Sequence, residues 1–573
     1  MGLKPSRFSA VTFFLFGFAV SLPAAPMLRL AASTVGPVSI AVGANGAPQT
    51  VEAFNAGDGT LSLALSSSAS WLAASVGAPR ACSSTTQASA CIPLQFALNT
   101  ASLAAGTYTG IVTVSDPNAA DAPQTITVTV ADGGAVPAAV DAYVAPGGSR
   151  DIPFTTNVML FYSASTTDRN PWLSVALDGV GTFRFVLPYR IHLQPPAAMD
   201  PGTYTGTVLT GGSSFAPDNK TIPVTMRVTS LPIAQAAVDR VSLRLAQGAP
   251  PQTAYIPVSN LGQGSLVIQT VSASGGDWMK ASAYAGGAAL AFDTGSLAPG
   301  TYSGTVTIAT NAVNTLPPVP VDFQVVAKGA PTIPYQGVLD NAIFAIGDAV
   351  TGGDIVDVFG EQLSFNAPAS GTALPLTRQI GTTRVLVNGQ PAPLFYASYG
   401  QIDFQLPTNL PTGTALVQVE RDGQAGNAVS IQVAARAPRF LVYGPYAIAV
   451  NFTDGSFVMP SDAIPGLSHP AKAGDTLTIY AIGLGPTKAD VNAGDPAPYD
   501  PLPELITTPI VNFGGVGSVI GVSAMPSYAG LSPGSVGLYQ VNVTIPPGVS
   551  KGVVNVVLTF PDSVSNVAQI AIQ

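Results

Sequence analysis

Three stretches of the chain alternate apolar and polar side chains with a period of two. Ile126, Val128 and Val130 are separated by Thr, and Ile222, Val224, Met226 and Val228 follow the same rule, as do Val321, Phe323 and Val325. Apolar residues on one face of an extended chain predict strands that each cover a core. Upstream of each strand stands one shared turn, Leu103-Ala-Ala-Gly106-Thr-Tyr108-Thr-Gly110, Met199-Asp-Pro-Gly202-Thr-Tyr204-Thr-Gly206 and Leu297-Ala-Pro-Gly300-Thr-Tyr302-Ser-Gly304. The interval from Gly106 to Gly202 to Gly300 is the length of one sandwich domain. The three tryptophans of the chain fall one per repeat, as Trp71-Leu72, Trp172-Leu173 and Trp278-Met279.

In the shared turn an apolar residue ends one strand, Gly is expected to supply a backbone conformation that other residues resist, and Tyr opens the next strand. The arrangement resembles the tyrosine corner of Greek-key sandwiches, in which the ring packs inward and the hydroxyl bonds to the backbone upstream. Trp71, Trp172, Trp278, Tyr108, Tyr204 and Tyr302 are therefore read as structural core. A ladder of rings for stacking on a ligand is the competing reading, and the fixed relation to turn and strand favours packing.

After Lys328 the pattern changes. Gly329-Ala-Pro-Thr-Ile-Pro-Tyr335 reads as a linker, Gly353 to Leu363 as a strand and turn, and Thr383 to Val387 as a strand entering the Asn388-Gly389 turn, a strong hairpin signal. Further strands are expected at Gln401 to Leu406, Ala415 to Val419, Val429 to Val433 and near Val567 to Ile572. The chain is thus read as all-β: tandem immunoglobulin-like β-sandwich modules at 28–132, 133–230 and 231–328, then a β-rich C-terminal region of a first sandwich at 329–438 and a second β-domain at 439–573.

Composition supports this picture. The 573 residues are 47% hydrophobic and 9% charged, with 59 Gly and 51 Pro, a balance that suits strands and tight turns and carries too much apolar content for a disordered chain. A formal charge of −9 argues against nucleic acid as a partner. Lys4 and Arg7 precede an uncharged run from Phe8 to Leu22 and the small residues Ala24 and Ala25, the pattern of a secretory signal spanning 1–25. No later stretch is long and apolar enough to span a membrane. Cys82 and Cys91, nine positions apart in a chain read as exported, are expected to form a disulfide worth roughly 2–3 kcal/mol by loop closure, with two unpaired small core residues as the alternative.

The Trp-Leu pair, the Gly-Thr-Tyr-Thr-Gly turn and the Thr-Val strand make residues 28–328 resemble the BACON modules of exported bacterial proteins, which implies a weak leaning toward sugar binding. The blocks Val387 to Pro393, Gln401 to Pro407, Gly483 to Thr487 and Gly537 to Val543 make residues 335–573 resemble the C-terminal domain recurrent in exported proteins of Solibacter and other Acidobacteria. That family brings no catalytic residues to carry over.

Candidate chemistry is sparse. His192 and His469, the two histidines, fall in different modules, and no spacing gathers metal ligands, so neither a metal nor a cofactor is expected. Gly530-Leu-Ser532-Pro-Gly534 matches the nucleophile-elbow pattern, but Pro533 removes a backbone donor and no His follows, which favours a turn. Gly483 to Lys488 faintly resembles a phosphate loop without its helix. The expectation is an exported, non-catalytic scaffold or adhesion protein whose partner is an extracellular protein or polysaccharide. The alternative is a carbohydrate binder using Tyr396 and Tyr399 near a loop, residues that a core or rim role also fits; an exported hydrolase is the third reading.

Overall fold

A computed structural model describes residues 26–573 apart from 58, 84–89, 120–121, 157, 179–186, 335 and 515–520. The leader read at 1–25 lies outside the described residues. Among those described, regular structure is β-strand throughout, with one 3-10 turn at Ala216–Asp218 and no α-helix. No helix is long and apolar enough to cross a membrane.

The described residues form ten sheets, two for each of five successive segments. In the first, the strands Leu28–Leu30, Gly46–Asn55, Ile92–Leu98 and Leu72–Val76 face the strands Thr34–Ile40, Gln124–Asp132, Gly106–Ser115 and Ala64–Ser67. Ile126, Val128 and Val130 turn inward and are fully buried, because side chains two apart share a face. Each such residue contributes about 1.5–3 kcal/mol through burial. The third segment repeats this layout, and the second carries three strands instead of four in one sheet. The apolar clusters of the three segments each enclose one indole, Trp71, Trp172 and Trp278.

A parallel pair closes each of these three sandwiches. Thr34–Ile40 lies parallel to Gln124–Asp132, Val140–Val144 to Thr221–Val228, and Val241–Ala246 to Val319–Val326. An early strand is thereby tied to the last strand of the same unit. The C-terminal region holds two larger sandwiches, of two five-stranded sheets and of one five- and one six-stranded sheet. The Asn388-Gly389 hairpin forms as expected: both residues have positive φ, 48° and 80°, and Val387 pairs with Gln390.

The units do not follow one another as a linear string. Arg244, on the strand Val241–Ala246 of the third unit, donates to the carbonyls of Pro123 (3.2 Å) and Ala122 (3.3 Å) in the first. Met27 joins the apolar cluster of the fourth unit. The chain therefore folds back, setting its first sandwich beside its third and fourth.

Candidate functional site

The repeat framework is built around its aromatic residues. The hydroxyls of Tyr108, Tyr204 and Tyr302 each donate, at 2.9 Å, to the carbonyl four residues upstream, on Ala104, Asp200 and Ala298. Their rings are half-buried against the unit cores. Trp172, 1% exposed, donates through Nε1 to Asp168 (3.0 Å), and Trp278 to the Gly275 carbonyl (3.0 Å). Trp71 is buried as well. The three buried indoles offer no open ring face for a ligand. The glycines that open the turns, Gly106, Gly202 and Gly300, are absent from the residues with positive φ, so the backbone reason expected for them does not apply.

The start of the segment read as a linker, Gly329, is fixed in place. Buried Arg421 donates to the carbonyls of Gln362 and Gly329 (2.6 Å), and its guanidinium lies 4.6 Å from the centre of the Phe365 ring. Carbonyl oxygens around the guanidinium offset the cost of burying its charge. Gln362 accepts from the Gly329 N–H (2.7 Å). From the same fourth unit Tyr399, 5% exposed, inserts into the apolar cluster of the third and accepts from the Ala246 N–H at 2.7 Å. The tyrosine offered for sugar stacking is thus a buried peg between units, and Tyr396 is a half-buried residue on the strand Leu394–Ala397.

The fourth and fifth units are joined through Gln405. Its amide nitrogen donates to the Gly353 carbonyl (3.0 Å), and its oxygen accepts from the Gly494 N–H (2.7 Å). Leu376 N–H donates to the Gly494 carbonyl (2.8 Å). The Gly483-Leu-Gly485 turn belongs to this junction: a Cβ on Gly483 would stand 2.1 Å from the Ala437 carbonyl oxygen, and Gly485 accepts from the Tyr539 hydroxyl (2.7 Å). It is a packing turn, with no phosphate cradle. Alongside runs a cleft of about 950 Å³ bordered by Arg378, Asn388, Gln390, Asn409 and Asp490, with Leu410 and Val491 among its apolar walls. Its size and mixed lining fit a small-molecule or chain-binding groove.

Two buried carboxyl groups near this junction were not foreseen. Burial pushes Asp354 up to about 8. Asp357 lies opposite Asp403 in the pairing of Ile355–Phe359 with Gln401–Gln405, and burial followed by the Asp403 carboxylate pushes it up to about 8. Asn341 Nδ2 contacts both Asp357 oxygens at 2.9 Å. A period-two reading places Asp357 on the face opposite Val356 and Val358, where solvent is expected; cover by other elements buries it, and forty-six residues separate it from its partner.

The remaining candidates do not converge. His192 pairs with Asp151 (2.5 Å) and His469 with Asp454 (2.8 Å), in different units. The Pro470 carbonyl, then Asp454, raises His469 above the usual histidine range. Ser532 donates to Gln540 (3.0 Å), and its N–H bonds to the Leu538 carbonyl across a turn. No group of three metal-ligating side chains gathers among the described residues. Cys82 and Cys91 form a disulfide, with Cα atoms 4.9 Å apart.

No protein-family profile matches the chain, and no curated protein does. Among solved structures it is similar to immunoglobulin domains 1–5 of sidekick-1, at 11% identity over 96% of this chain and 99% of that one, with a TM-score of 0.16. It is similar also to the human desmocollin-1 ectodomain, at 11% identity over 71% and 79% of the two chains, TM-score 0.16. An endo-fucoidan hydrolase of glycoside hydrolase family 107 aligns at 13% identity over 54% of this chain, TM-score 0.17, and the match spans less than half of that enzyme, 45%. Likenesses at this level carry no argument, and the class of the protein rests on its own sheets: a modular, all-β assembly of immunoglobulin-like sandwiches.

Proposed function

We propose that the protein is an exported, non-catalytic scaffold or adhesion protein that holds binding surfaces at fixed positions outside the cell. The observation that supports this most is the set of buried bridges between units, with Tyr399 seated in the neighbouring core and Gln405 joining the last two sandwiches. Such bridges fix the relative placement of surfaces, which a linear array of loosely tethered domains does not. The Cys82–Cys91 disulfide fits an oxidising compartment. The test presents purified full-length protein with extracellular polysaccharides and with cell-surface protein extracts, reading retention and product release together. Retention without product release is expected, and catalytic release of product would overturn the reading.

Carbohydrate binding is the second reading, favoured by a different pair of tyrosines from those the sequence suggested. Tyr255 and Tyr284, 58% and 37% exposed, meet edge to face at 5.6 Å on the outer side of one sheet of the third unit. Register places Ala289 between Tyr255 and Ser282, and Gly287 beside Tyr284, so small residues floor the space around the rings. Exposed rings beside hydroxyl groups suit a sugar face. Loss of glycan retention in Tyr255→Ala and Tyr284→Ala supports this reading; unchanged retention removes it.

A further inference from the structure

Two opposite charges, neither in an ion pair among the described residues, line the cleft of about 950 Å³ between the fourth and fifth units. Arg378 is exposed, and its guanidinium is held by two backbone carbonyls, of Pro391 in the fourth unit and of Ala493 in the fifth (3.3 Å). Two of its five N–H groups are used in this way, so three remain to meet an acceptor. Asp490, exposed in the fifth unit, accepts no hydrogen bond among the described residues. Lys488, the cation nearest to it in sequence, is taken by Glu504 (2.6 Å).

The same lining carries side-chain amides with unused groups. Gln390 and Asn409 make no hydrogen bond among the described residues, and Asn388 uses only its oxygen, which accepts from the Leu416 N–H (2.8 Å). A side-chain amide offers a donor and an acceptor, the pair that a peptide group presents. Among the described residues of the lining the one aromatic is Tyr539, 4% exposed, with its hydroxyl on the Gly485 carbonyl (2.7 Å). A sugar therefore finds no ring face to stack on. Gln405 bonds to Gly353 in one wall and Gly494 in the other, so the cleft is set before a ligand arrives.

We propose that the cleft between the fourth and fifth units binds a short peptide with both ends free. Arg378 takes the terminal carboxylate, Asp490 the terminal ammonium, and the amides of Asn388, Gln390 and Asn409 the peptide groups between. The site adds a ligand to the scaffold reading and does not depend on it. Calorimetric titration of the full chain with alanine peptides from dialanine to pentaalanine tests this. At least one length should bind saturably with a Kd on the order of 10–100 µM. Its N-acetyl and C-amide forms should each bind about tenfold or more weakly. Arg378→Gln should bind the free acid and the C-amide alike, and Asp490→Asn should bind the free amine and the N-acetyl form alike. Equal binding of free and blocked peptides to the native protein would overturn the proposal, whatever the variants do. Discrimination that survives both substitutions would place the peptide elsewhere and overturn it too. So would the absence of binding at every length up to about 10 mM, or heat from galacturonic acid oligomers with none from the peptides.

Discussion

The indole of Trp172 lies against the bare backbone of Gly206: a Cβ there would stand 3.2 Å from Cη2 of the ring and 2.8 Å from the Ser165 carbonyl oxygen. Trp71 stands in the same relation to Gly110 (3.2 Å) and Trp278 to Gly304 (3.3 Å). The second glycine of each Gly-Thr-Tyr-x-Gly turn thus makes room for the tryptophan of its own unit. Gly206→Ala should destabilise the second unit by about 1–3 kcal/mol, the usual cost of overpacking a core. Gly202→Ala, where the nearest atom would be 3.6 Å away, should be neutral or stabilising by up to about 1 kcal/mol. Denaturant melts of the two variants check the contrast.

Tyr399 joins two units through its ring and its hydroxyl. Tyr399→Phe should cost about 1–3 kcal/mol, because the buried Ala246 N–H loses its acceptor. Tyr399→Ala should cost about 3–5 kcal/mol and free the third unit from the fourth. Limited proteolysis reads the second effect directly, with new cleavage expected within 327–334 in the alanine variant and not in the phenylalanine variant.

These contrasts show what the sequence made legible. The alternating runs, the tyrosine of each Gly-Thr-Tyr motif and the Asn388-Gly389 hairpin are local signals, and each formed the local structure it encodes, although the glycines that open the motifs do not take the backbone conformation expected of them. The Trp–Gly contact was hidden, because Trp172 and Gly206 belong to different strands brought together only by folding. The bridges were hidden for the same reason. Nothing in the vicinity of Tyr399, Gln405 or Arg421 announces a partner from another unit, and the Tyr255–Tyr284 corner needs the register of three strands to appear.

The C-terminal region should lose stability as pH rises. Asp354 and Asp357 are both raised from 3.8 to about 8 in the folded chain. Between about pH 4 and pH 8 the unfolded chain releases protons that the folded chain keeps, so alkalinisation favours unfolding. Stability is fully present below the unfolded value and is lost as pH passes through the folded one. Each group adds a slope of up to about 1.4 kcal/mol per pH unit within that window. Asp357→Asn keeps the shape and cannot ionise, so calorimetric melts from pH 5 to 8.5 should show a shallower fall of Tm in the variant than in the native chain.

The disulfide should act on the first unit alone. Cys82→Ser with Cys91→Ser should lower the stability of that unit by about 2–3 kcal/mol, the loop-closure value for a short ring. A multi-step melt should show one transition shifted and the others unmoved.

Small-angle scattering of the full chain addresses most directly whether the sandwiches form one welded, folded-back body. A module of about 100 residues has a radius of gyration near 13 Å, so five in a row would extend to about 170 Å. With the first unit resting on the third and fourth through Arg244 and Met27, the maximum dimension should fall well short of that and remain unchanged between low and high salt. A particle as long as the extended row, with the broad distance distribution of a flexible string, would contradict the account.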